Sequence, residues 1–322
     1  MFNRILISLF CLIATLSLSN PSAFAQQPKK RIGVLVWADD ERYVQSLKGF
    51  LDQLSQDGLS QDHLDIDVQH AQSNKAKAMK IAKAFAHEGR DIYFSLGTPA
   101  TTALFEEVKD TPIVFSLVFN PVDSKIVQGT DRSGNNLTGV TNNVPMDMIL
   151  EVLNALRPVQ RIAILYTPGE SNSEIQLHDL QKTCSVTGIV VVPVPISLED
   201  DAAEMINYLK GRVEAVYLSG SSVVGKKIDM IIAASVRSGL ITVSHLLNYT
   251  EQGMLLGIGG NSYDDGRQAA KMASMVLNGV KPTDIPIAGT SKLEILVNRR
   301  SLERMRLPLS DAFRKKITRF VE

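Results

Sequence analysis

The chain has 322 residues, of which 44% are hydrophobic and 21% charged, with 34 Lys plus Arg against 34 Asp plus Glu. That length suits two domains or one large one, and the composition excludes a disordered, collagen-like or disulfide-scaffolded chain. A formal net charge of zero leaves no electrostatic footprint for nucleic acid or an anionic membrane surface, and no stretch of the body reaches the ~18 apolar residues of a membrane-spanning helix.

Residues 1–25 read as a cleavable secretory signal peptide. Arg4 supplies the positive charge, 5–18 an apolar run, and Ala23-Phe24-Ala25 the small-x-small pattern for a cut after Ala25. The cut removes Cys11 and leaves Cys184 with no partner for an internal disulfide. The mature protein is therefore expected to be exported.

From residue 31 strands and helices alternate. The run 32–36 is continuously apolar, as strands buried on both faces of a parallel sheet are. Asp39 and Asp40 mark a helix N-terminus, and Val44, Leu47, Phe50, Leu51 and Leu54 follow at helical spacing. A strand at 65–68, a helix capped by Asn74, and strands at 92–96 and 112–118 complete a first series. The pattern restarts with a connecting strand at 137–141, a helix at 146–156, and strands at 161–166, 189–194, 215–218 and 241–244. This alternation predicts an α/β fold of right-handed βαβ units with parallel sheets. A strand at 254–258, a helix at 264–277 and a last strand at 293–297 do not continue the second series. They imply that the chain crosses back to the first unit and returns. The expected lobes are 31–140 with 251–288, and 141–250 with 289–322.

Ligands of such sheets bind beyond the carboxyl ends of the strands, where helix N-termini offer free N–H groups. Gly97-Thr98-Pro99 after the third strand reads equally as an anion-facing turn and as a plain helix cap. Corresponding loops hold Asn120, the pair Tyr166 and Ser171, and the pair Ser219 and Ser221. Trp37, the one tryptophan, ends the first strand at the same rim and either stacks on a flat ligand or packs there. His245 ends a later strand and either faces the ligand or caps a crossover. The stretch from Gly220 to Lys227 follows a phosphate-loop pattern except at its eighth position, where Lys227 replaces the magnesium-binding Ser or Thr; nucleotide is not expected. The five His show no zinc-ligand spacing, Cys184 sits mid-helix as a buried thiol would, and Glu170, His245 and Asp39 form no recognisable catalytic set. No metal, cofactor or catalytic residue is expected.

Gly97-Thr98-Pro99-Ala100-Thr101, Asn136-Leu137-Thr138-Gly139-Val140, Tyr166-Thr167-Pro168-Gly169-Glu170-Ser171-Asn172-Ser173 and Gly266-Arg267-Gln268-Ala269-Ala270 occur in this order. In that combination the chain, from residue 31 to its C-terminal helices, resembles the ABC-transporter substrate-binding proteins of the tryptophan/tyrosine type. The resemblance implies a type I periplasmic-binding fold: two Rossmann-like lobes with parallel sheets, joined by three crossovers near 139–144, 246–251 and 288–291, closing on a ligand. It further implies a non-enzymatic monomeric carrier, a small-molecule ligand (an amino acid or related carboxylate) and a permease of the inner membrane as partner. The alternative is a ligand-binding partner of a sensory receptor or kinase. Residues expected at the ligand are Trp37, Asp39, Gly97, Thr98, Asn120, Tyr166, Ser171, Ser219, Ser221 and His245. Two departures bear on its identity. Asn120-Pro121-Val122 stands where the family commonly has Asp-Pro-Val, which weakens the case for an unmodified amino acid. Trp37-Ala38-Asp39-Asp40-Glu41-Arg42 replaces a loop carrying Gln and a His-Pro pair, leaving Asp39 or Arg42 to supply a polar contact.

Overall fold

A computed structural model describes residues 29–59 and 62–322. The signal peptide and its cut after Ala25 lie outside the described residues. The first series runs β1 (Lys30–Val36), α1 (Glu41–Gln56), β2 (Leu64–His70), α2 (Lys75–Glu88), β3 (Ile92–Leu96), α3 (Thr98–Glu107), β4 (Ile113–Val118) and β5 (Leu137–Thr141). The second runs α4 (Met146–Leu156), β6 (Arg161–Tyr166), α5 (Ser171–Thr187), β7 (Val190–Pro195), α6 (Ala202–Leu209), β8 (Ala215–Leu218), α7 (Ser222–Lys226), α8 (Ile228–Ser238) and β9 (Ile241–Ser244). There follow α9 (Leu247–Glu251), β10 (Leu256–Gly260), α10 (Ser262–Leu277), a 3-10 turn, β11 (Ala288–Gly289), β12 (Leu293–Asn298), α11 (Arg299–Arg304), α12 (Asp311–Arg314) and β13 (Arg319–Val321).

The strands form two sheets, ordered β11-β5-β4-β3-β1-β2 and β13-β12-β10-β9-β8-β6-β7. β3 and β4 are buried along their whole length, which accounts for sequences that are apolar but for Ser95 and Ser116. All pairings are parallel except β10 with β12. The chain passes between the sheets three times, at 142–145, at Asn261 and at 290–292.

The middle passage is not where the sequence pattern put it. β10 pairs in parallel with β9 and so stays in the second sheet; residues 251–260, expected in the first lobe, belong to the second. The five-residue α9 is the helix of that last βαβ step, too short to show a periodic face. The return to the first lobe is made by α10, whose Ala269, Ala270, Met272, Ala273 and Val276 join the core beneath the first sheet. α10 lies against α1 in backbone contact. A methyl added at Gly266 would stand 1.9 Å from the Ser46 carbonyl oxygen, and one at Gly49 would stand 2.0 Å from that of Tyr263. Arg267 Nε and Nη2 donate to Gln53 Oε1 at 3.0 and 2.8 Å across the same seam. Because α10 meets α1 on its Ser46–Gly49–Gln53 side, Val44, expected on the apolar face, is 49% exposed.

β7 is an open edge of the second sheet. Val190 N–H and Ile196 N–H donate to Gln160 and Tyr166 carbonyls on the β6 side, so the odd-numbered residues between them face outward. Two of these are Pro193 and Pro195, which have no N–H to offer a further strand.

Candidate functional site

The carboxyl ends of β1, β3 and β4 face those of β8 and β9 across a small, partly open cavity of about 20 Å³. In the first lobe, β1 ends at Trp37, whose N–H donates to the Leu96 carbonyl at 3.1 Å and whose side chain is buried. Gly97 turns the chain from β3 into α3 at φ +96°, a left-handed conformation that disfavours a side chain; a methyl there would also meet Tyr43 Oη at 3.0 Å and Trp37 Cβ at 3.2 Å. Thr98 opens α3 with Pro99 behind it, and no side chain caps the helix. The Thr98 hydroxyl, buried, accepts from Phe119 N–H at 3.4 Å. β4 slips register against β5 between Phe115 and Val118, and Leu117 takes φ +59° there. That irregularity brings Leu117 to the cavity wall, beside Phe119.

Arg42 sits in the first turn of α1, buried, with its guanidinium 4.7 Å from the Tyr43 ring centroid. Its Nη2 donates to Tyr43 Oη at 3.2 Å and to Asp40 Oδ2 at 3.3 Å, while Nε has no partner. Burial works against its charge, but Tyr43, Tyr249 and Asp40 more than offset burial, so its pKa lies above the ordinary arginine value. The guanidinium is a permanent cation on the cavity wall.

The second lobe contributes two amides one turn apart on α5. Asn172 Nδ2 donates to the Gly220 carbonyl at 2.8 Å, and Gln176 Oε1 accepts from the Gly220 N–H at 3.0 Å. One peptide residue thus sets both orientations, leaving Asn172 Oδ1 and Gln176 Nε2 buried without partners. From the crossover at 142–145, Asn142 Oδ1 is also buried and unpaired. His245 Nδ1 and Tyr217 Oη share a hydrogen bond of 2.8 Å, and Phe119 meets the imidazole edge-to-face at 5.1 Å. Burial, then the Arg42 charge, push the His245 ring down to about 3, so it is neutral at physiological pH. At the mouth, Lys75 Nζ of the first lobe donates to the Gly169 carbonyl of the second.

Of the residues expected at a ligand, Trp37, Thr98 and His245 line this cavity, and Gly97 lies directly behind Trp37 and Tyr43. The others are engaged elsewhere. Asp39 stands on the rim, 2.7 Å from His70 Nδ1. Asn120 closes its own turn, Nδ2 donating to Asp123 Oδ2 at 2.6 Å and Oδ1 accepting from Asp123 N–H at 3.1 Å. Tyr166 packs on the second-lobe core. Ser171 is exposed and lines a second cavity at the mouth with Lys75 and Pro99. Ser219 Oγ accepts from Ser221 N–H at 3.4 Å, and Ser221 Oγ accepts from the Val223 and Val224 N–H groups of α7. The phosphate-loop-like turn is filled from within: Glu170 Oε2 accepts from Ser222 N–H at 2.9 Å, and Glu170 Oε1 takes the Ser222 hydroxyl. Sequence reading missed Tyr43, Leu117, Phe119, Asn142, Asn172 and Gln176. Asn172 and Gln176 carried a usable signal, two amides spaced one turn apart at the start of a helix that follows a strand.

A family model for the ABC transporter substrate binding protein matches residues 31–320. The chain belongs to that family. A tyrosine-binding protein of Clostridioides difficile (strain R20291) is 25% identical over 277 residues, 85% of this chain and 80% of that one. Among solved structures, an ABC domain from Streptococcus pneumonia in complex with L-Trp superposes with a TM-score of 0.86 at 23% identity, over 91% of this chain and 100% of that one. A ligand-free, open substrate binding protein with adhesive properties from Clostridium difficile gives 0.72 at 26% identity, over 91% and 99%. The fold is that of the type I periplasmic binding proteins, as the sequence resemblance implied, and its role in the family is solute binding.

Proposed function

We propose that this chain is the extracytoplasmic solute receptor of an ABC importer, and that the cavity between its lobes holds an amino acid or a related carboxylate. One observation carries the reading: Arg42 Nε, Asn142 Oδ1, Asn172 Oδ1 and Gln176 Nε2 are buried around a single cavity without partners. A buried unpaired polar atom costs about 1–3 kcal/mol, and a solute that pairs four of them recovers that cost on binding. Donors from Arg42, Gln176 and the uncapped start of α3 suit a carboxylate; Trp37 and Phe119 suit a flat apolar body.

Because the unpaired atoms come from both lobes, a solute bound to all of them favours the closed arrangement over the open one. A permease of the inner membrane then reads the closed shape. The signal sequence at 1–25 delivers the chain to the periplasm, and the purified protein returns its solute unchanged.

The test is mass spectrometry of solute released by denaturing gently purified protein, set beside calorimetry on the stripped protein. Asn172→Leu and Gln176→Leu are expected to release no solute and to weaken its rebinding at least tenfold. Unchanged affinity in both variants places the solute elsewhere and overturns the reading.

A further inference from the structure

Among the described residues, Arg42 is the only ionised side chain on the cavity wall. The other polar groups facing it are the Asn142, Asn172 and Gln176 amides, the Thr98 and Tyr43 hydroxyls, and His245. Burial holds Tyr43 in its neutral form, lifting its phenol to about 12, and His245 is neutral too. Among the described residues no carboxylate lines the cavity, and four nearby ones are committed. Asp40 accepts from Arg42 Nη2, Glu170 is bound to Ser222, Asp123 is held by Asn120, and Asp39 is paired with His70 on the rim.

An α-ammonium in this cavity finds only uncharged acceptors, the unpaired amide oxygens foremost, and it shares the space with a guanidinium. A buried cation without an opposing charge is strongly disfavoured, and the nearby guanidinium adds repulsion. A hydroxyl donates its one hydrogen to either of these amide oxygens at no charge cost. The Asn172 oxygen cannot be exchanged for a donor by rotating the amide, because the Gly220 carbonyl already takes its NH2 group.

We infer that the solute is a carboxylate bearing a hydroxyl, or another uncharged donor, where an amino acid carries its ammonium: a hydroxy acid with a flat apolar body. This rests on the reading of the interlobe cavity as the solute site. The carboxylate lies toward Arg42 Nε and Gln176 Nε2, and the hydroxyl donates to Asn142 or Asn172.

Calorimetry on the stripped mature protein, with two pairs that differ only in this group, tests it: L-tyrosine against 4-hydroxyphenyllactate, and L-tryptophan against indole-3-lactate. The hydroxy acid of at least one pair is expected to bind tenfold or more tightly than its amino acid, and Asn142→Asp is expected to shift that preference at least tenfold back toward the ammonium. Equal or tighter binding of the amino acids overturns the inference, and if Asn172→Leu weakens that binding the cavity reading survives. Binding of neither class also overturns the inference. The cavity reading then stands if denaturation releases an organic solute from the wild type and not from Asn172→Leu, and falls if the two release alike.

Discussion

His245 is buried between Tyr217 and Phe119, and its ring titrates at about 3 against an ordinary value of 6.5. Because the folded form resists the proton, the stability held by the neutral ring is complete above pH 6.5. It declines as pH falls from 6.5 toward 3, where the unfolded chain alone is protonated. The slope from this one group is about 1.4 kcal/mol per pH unit. His245→Phe is expected to remove that slope between pH 6.5 and 4.5 in urea unfolding followed across pH, whatever it does to stability at neutral pH. A residue's position was legible in sequence where chain geometry sets it, as with Trp37 and His245 at strand ends. Which way a polar side chain turns was not. Asn120 looked available and is satisfied by Asp123, whereas Asn172 and Gln176 are aimed by Gly220, 44 or more residues away along the chain. Arg42 was the intermediate case: a cation in a helix's first turn runs against the macrodipole, and that anomaly is visible without coordinates.

Elements whose length exceeds a turn or two were readable from their periods. β5, α4, β6, β8 and β9 fall on the expected residues, the strands because their buried residues are mostly apolar and α4 because its buried face repeats at helical spacing. The two-residue β11, the three-residue β13 and the five-residue α9 are shorter than any period and were not seen. Missing α9 is what assigned β10 to the wrong lobe. The α1–α10 seam was also hidden, because it is made of small residues and carries no apolar stripe. Gly266→Ala is expected to cost about 1–3 kcal/mol by forcing the Ser46 carbonyl away, outweighing the helix-propensity gain of ~1 kcal/mol that alanine otherwise brings. Gly289→Ala, with nothing within 4 Å, is the control and should change urea midpoints little.

At the scale of the molecule, the two sheets are joined three times, and the first lobe is not complete until α10 has arrived. A chain cut at residue 261 retains the strands of the first sheet through β5 but leaves the α10 side of that sheet uncovered. It is expected to lose the first lobe's cooperative thermal transition, as followed by calorimetry, while a chain that includes α10 through β11 retains it. The two-lobed plan itself was legible from the restart at residues 137–141 and the late return. The place of the return was not, because it depends on which sheet a five-residue strand joins.

The outward edge of β7 has a consequence for many copies of the molecule together. Pro193 and Pro195 leave two adjacent outward positions with carbonyls and no donors, so a strand from a neighbouring copy that laid itself along this edge would lose two hydrogen bonds at once. The molecule thereby keeps an open sheet edge that offers a poor template for strands of other copies.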